Sequence, residues 1–210
     1  MSAVSDRNTM LAQGRRLEYF TVGWNSIEGV IAILAGFLAG SIALVGFGFD
    51  SAIEVTSGLA LVWRLRQHLN AEHAEVIDRR TLSFVGFTFL ALAVYVGGTG
   101  IQTLLKREPP NPSYTGIALA GVSLVVMPLL ARKKRILASH ISSRALHADS
   151  RQTDICAYLS AILLAGLALN ALFGWWWADP VAGLAMIPLI AKEGIDALRG
   201  KTCCDEPCRQ

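Results

Sequence analysis

Asp50 and Glu54 lie four residues apart inside residues 41–63, an otherwise apolar stretch. That spacing puts both carboxyls on one face of a helix. A carboxylate near a bilayer centre costs about 2.5–3.5 kcal/mol on insertion scales, so a pair on one face calls for a metal cation or protons to offset it. Asn25 and Glu28, three apart in the preceding apolar stretch, form a second polar face, and Asp149, Gln152, Cys156 and Ser160 recur at intervals of three and four along a third. Asp50, Glu54, Asp149 and Cys156 offer the four donors that tetrahedral zinc takes, without a histidine. Gln152 and Glu28 extend this candidate ligand set. Carboxylates and amides alone suit manganese or magnesium, whereas a thiolate favours zinc, cadmium or copper(I), so Cys156 points to zinc or a zinc-like ion.

These residues need helices to position them. Of 210 residues, 53% are hydrophobic and the mean hydropathy is +0.45, above what a soluble domain of this size carries. Six segments, at about 19–38, 41–64, 82–104, 114–131, 148–173 and 180–198, reach the roughly 20 apolar residues that crossing requires. The sequence predicts an all-α membrane protein of six transmembrane helices in the cell membrane. Residues 1–18 form a cytoplasmic segment, 19–199 the transport domain and 200–210 a Cys-rich cytoplasmic tail. The N-terminus lacks the continuous apolar core of a signal peptide. Among 19 Lys and Arg, only Lys106 and Arg107 fall in a connection on the side opposite the N-terminus, so both termini are expected in the cytoplasm. The net charge of +3 then reflects topology, with clusters such as residues 132–135 flanking spans, and no nucleic acid is expected as a partner.

The connections set the geometry. Ala39 and Gly40 leave so short a link that the first two spans form a hairpin, bringing Glu28 towards Asp50 and Glu54. Residues 64–80, with His68 and His73, read as a solvated connection. Gly97, Gly98 and Gly100 give the third span a small-residue packing face, the place to look for contact with a second copy. Pro109, Pro110 and Pro112 stiffen an external turn, and Pro128 is expected to kink the fourth span. Trp175, Trp176 and Trp177 suit a membrane interface. Asp179 and Pro180 read as cap and first turn of the last span, while Lys192, Glu193 and Asp196 near its other end read as snorkelling or mutually paired charges. Cys203, Cys204 and Cys208 would be free thiols or soft-metal ligands in a reducing compartment, and their spacing matches no closed zinc module.

Taken together, Gly40-Ser-Ile-Ala-Leu44 leading to Asp50-x-x-x-Glu54, Ala148-Asp149 leading to Gln152-x-x-x-Cys156, and Asp179-Pro180 opening the last span make the chain resemble the cation diffusion facilitator family. Within it, the Phe47-Gly-Phe run, residues 174–180 and the terminal cysteines resemble a small bacterial subgroup lacking the cytoplasmic domain and related to the vertebrate transmembrane protein 163. The resemblance implies a six-helix cation-efflux bundle, a homodimer, and exchange of a divalent metal cation for protons by alternating access, from cytoplasm to outside. Asp50 and Glu54 match the family's second-span ligands. In the fifth span the family carries His-x-x-x-Asp, which a gapless alignment replaces by Gln152 and Cys156; the other register, Ser150 and Asp154, keeps the Asp but needs a deletion. Without the histidine, the natural proton carrier near neutral pH, a proton would fall to Glu28, Glu54, Asp149 or Cys156.

Other readings compete with transport. A polar cluster that only fixes packing is a poor offset for several carboxylates, because such contacts stabilise membrane helices by about 0.6 kcal/mol. An enzyme is disfavoured, since no histidine lies within a span to activate Ser41, Ser51, Ser57 or Ser160. No prosthetic group is implied; the cation, most simply zinc, would be cargo. A membrane metal sensor or modulator that binds without transporting is the alternative.

Overall fold

A computed structural model describes residues 2–66, 71–141 and 144–199. They form six α-helices: α1 Ser2–Ala39, α2 Ile42–Arg66, α3 Ala71–Lys106, α4 Tyr114–Ile141, α5 Arg144–Phe173 and α6 Ala178–Leu198. Five contain stretches long and apolar enough to cross a membrane, at Ala12–Ala39, Ile42–Trp63, Ser83–Lys106, Tyr114–His140 and Asp149–Phe173. α6, which the sequence put forward as the sixth span, is shorter and carries Asp179, Lys192, Glu193 and Asp196 within its 21 residues.

The helices outrun the spans expected from hydropathy. α1 is continuous through residues 2–18, α3 begins at Ala71 inside the supposed connection, and α4 continues ten residues past 131. A second, small apolar cluster explains two of these extensions. Leu61, Leu137, Ala138 and Leu146 pack together with Met10 and Leu17 at the end that carries the termini, so these helix ends gain burial beyond the apolar stretch itself. α4 runs unbroken through Pro128. His68 and the Cys203, Cys204 and Cys208 tail lie outside the described residues.

Within the membrane stretch the pattern is inverted relative to a soluble helix. On α1, Glu18, Thr21, Asn25, Glu28 and Ala32 recur at intervals of three and four and are buried, while Phe20, Ile27, Leu34 and Leu38 face outward. Polar groups that cannot be left to lipid are drawn together instead.

Packing follows three antiparallel pairs: the hairpins α1/α2 and α4/α5, and the non-sequential pair α3/α6. Gly40 turns the first hairpin at φ 68°, a conformation that L side chains rarely adopt. The pair α3/α6 is set by glycine: a Cβ on Gly86 would meet the Gly194 carbonyl oxygen at 2.7 Å. Gly97 and Gly100 also face α6, against Ile187 and Leu184. The glycine face expected to contact a second copy is therefore largely used within the chain.

Asp179 differs from its expected role. Trp177 is the N-cap of α6 and makes no side-chain cap bond. Asp179 is fully buried and reaches across to α2, where its Oδ1 accepts from Ser41 Oγ (2.5 Å) and its Oδ2 from the Ile42 amide (3.0 Å). Ser41 Oγ in turn accepts from the Leu44 amide at 3.1 Å, so α2 has a serine cap backed by a carboxylate from another helix. The local sequence of α6 suggests a cap, but Asp179 stands two residues past the N-cap Trp177, about half a turn into the helix, and serves α2 instead.

Asp179→Ala should lower stability by about 1–3 kcal/mol through the loss of these buried bonds. The measurement is thermal unfolding of the detergent-solubilised protein; an unchanged midpoint would show that Ser41 alone caps α2.

Candidate cation site

The polar faces of α1, α2, α4 and α5 meet inside the bundle. α2 supplies Asp50 and Glu54, exposed by 4% and 5%, and α5 supplies Cys156, exposed by 1%. The Cys156 thiol lies close to both carboxyls. From α1, Asn25 Nδ2 donates to Glu54 Oε2 at 2.6 Å. Its Oδ1 is buried without a partner, which leaves one neutral oxygen donor free beside Glu54. Two carboxylates, a thiol and an amide oxygen are a mixed hard and soft donor set of the kind that borderline ions accept.

Glu28 is buried in the same layer with both oxygens engaged. Ser51 of α2 donates to Oε2 at 3.1 Å and Ser123 of α4 donates to Oε1. Gln152 lies at the edge of the layer, its Oε1 accepting from Ser57 Oγ at 3.2 Å and its Nε2 buried without a partner. Ser160 is spent on its own helix, bonding to the Cys156 carbonyl at 2.8 Å.

Asp149 occupies a different layer. It pairs with Lys134 of α4, which is fully buried and also pairs with Glu18 of α1 at 3.2 Å and donates to Thr153 Oγ1 at 3.4 Å. Asp149 precedes Cys156 by seven residues, as Glu18 precedes Asn25, so this ion triad sits about 10 Å along α1 and α5 from the level of Asn25 and Cys156, towards the termini, and Lys134 and Asp149 still act electrostatically on Glu54. Among the described residues, no three His, Cys, Asp or Glu side chains are gathered closely enough to hold a metal ion.

The two readings of the fifth helix place their residues differently. In the Gln152 and Cys156 register both side chains face α2. In the other, Ser150 Oγ bonds back to the His147 carbonyl at 2.7 Å, and Asp154, one-third exposed, pairs with Arg135 on the bundle's flank.

Lys134 and Glu18 escaped the sequence reading, though a signal for each was present. The buried positions Met127, Leu130 and Ala131 of α4 extrapolate by helical period to Lys134, Leu137 and Ala138, yet a run of four basic residues reads as a solvated flank. Glu18 stands seven residues before Asn25 on the same stripe, and was placed outside the span because hydropathy falls there.

Residues 21–201 match the family model of the cation efflux transmembrane domain. The chain is 27% identical over 178 residues to an uncharacterized transporter of Methanocaldococcus jannaschii, covering 82% of this chain and 62% of that protein. It is 25% identical over 167 residues to a cation-efflux pump of Salmonella paratyphi A, covering 75% and 54%, and 24% identical over 193 residues to transmembrane protein 163 of Xenopus laevis, covering 89% and 68%. The chain thus spans 62%, 50% and 54% of the lengths of the first relatives it matches.

Asn25→Leu strips Glu54 of a buried amide donor and should destabilise the protein by about 1–3 kcal/mol. Thermal melts against Asn25→Gln would check it; equal stability of the leucine variant would mean that Glu54 does not depend on that bond.

Proposed function

The chain belongs to the cation efflux transmembrane family and is a multi-pass integral membrane protein, and on that premise we propose that it transports a divalent metal cation, zinc or a zinc-like ion, out of the cytoplasm. The observation that carries this reading is the layer of Asp50, Glu54 and Cys156, buried together inside a membrane bundle with an unpartnered Asn25 oxygen beside them. A cation is the partner that such a donor set lacks.

In this reading Asp50 and Glu54 supply the charge that binds the cation, and the Cys156 sulfur tilts preference to soft or borderline ions. Gln152 stands where the family carries histidine and holds the edge of the layer through Ser57. Glu28, held by two serines, adds negative potential without being free to ligate. Asp149, bound to Lys134, takes part only when that pair separates. The bundle alternates between opening at its two ends, with α6 as the sixth span and both termini in the cytoplasm. Protons returning to the carboxyls would release the cargo on the far side. The working assembly is a homodimer, and the chain performs no catalysis.

Protein reconstituted in liposomes should move zinc, and Asp50→Ala or Glu54→Ala should abolish the flux while the protein still elutes as a folded species. Retained flux in both variants removes the site assignment, and metal binding without flux in the parent identifies a sensor instead. A metal panel tests the thiol: Cys156→Asp should shift preference from zinc and cadmium towards manganese. The same preference in both proteins would show that the thiol does not select.

A further inference from the structure

The carboxylate layer is flanked on its two sides by different materials. Towards the α1/α2 turn, Leu44, Phe47, Leu163 and Leu167 are buried in the core between the site and that end. Towards the termini stands the ion triad Glu18, Lys134 and Asp149, which joins α1, α4 and α5. An apolar plug offers an approaching cation nothing. An ionic one offers two carboxylates as soon as the ammonium leaves.

We propose that Lys134 is the latch of the termini-side gate: its ammonium stands in for the cargo between Glu18 and Asp149, and a cation passing between that end and the Asp50/Glu54 layer must displace it. The proposal rests on the transport reading above and adds to it the residue that controls access.

Two observations and two general properties of such groups support the assignment. Lys134 has no exposure at all, yet it lies only two helical turns from the site on the side where the charged flank begins. Its partners come from two other helices, so releasing it removes one tie of α4 to α1 and one to α5. Buried ion triads are poor stabilisers, often replaceable by apolar residues without loss, so packing strength does not account for one here. A lysine suits a latch, because a compact charge on a flexible four-carbon stem can swing away without moving its helix.

Accessibility of Cys156 tests this without requiring flux. With Cys203, Cys204 and Cys208 replaced by serine, Cys156 is the chain's remaining thiol. A membrane-impermeant methanethiosulfonate should label it at least about tenfold faster in Lys134→Met than in the parent, and at the parent's slow rate in Lys134→Arg. Should Lys134→Met fail to fold, the triple variant Glu18→Gln, Lys134→Met, Asp149→Asn leaves no buried charge unpaired and carries the same expectation. Labelling as slow as the parent's in a folded variant overturns the latch, and so does equal acceleration in Lys134→Arg. A parent that labels slowly but moves no metal fails the transport reading instead.

Discussion

Ionisable groups at membrane depth have no solvent to fall back on, and this chain's architecture follows from giving each of them a partner inside the protein. Glu54 meets Asn25, Glu28 meets two serines, Asp179 meets the start of α2, and Asp149 and Glu18 meet Lys134. Every one of these contacts joins two different helices. The polar groups that lipid would reject are therefore the same groups that fix which helices are neighbours. The apolar residues, free to face lipid, carry less of that information.

The carboxylate pair of α2 stands apart within this network. Asp50 and Glu54 have a thiol, an amide and further carboxyls close by, Glu193 of α6 beside Asp50 among them, and Lys134 as the one ammonium that acts on Glu54. Seven residues along α1 and α5, by contrast, the triad carries its own positive charge. The carboxyl-rich layer has no ammonium hydrogen-bonded to it, and the next layer holds one. That alternation is what a path for a charged cargo requires, since a cation held too well at every level would not leave.

Most of this was legible in the sequence. Five of the six expected spans, the α1/α2 hairpin and the shared face of Asp50 and Glu54 were readable because hydropathy and a four-residue spacing are local signals. The placing of Cys156 against α2 was readable because Gln152, Cys156 and Ser160 share a stripe. What escaped was non-local. Asp179 reads as the cap of its own helix and serves another, and the glycines of α3 read as an outer face and meet α6. Lys134 was hidden by its neighbours: in a basic run only the helix phase shows which member turns inward, and hydropathy averages that phase away.

The carboxylate of Asp179 has a mechanical meaning beyond capping. It ties the first turn of α6 to the first turn of α2, while α6 is already locked to α3 by the Gly86 and Gly194 backbones and α2 to α1 by their short turn. Four helices are thereby riveted into one rigid body. The α4/α5 hairpin meets that body through Ser123, Lys134 and Gln152, and also through Gly166, whose missing side chain lets α5 approach the Ala178 carbonyl of α6. A hairpin displaced from that body would therefore have to part the Gly166 approach to α6 as well as break those side-chain bonds.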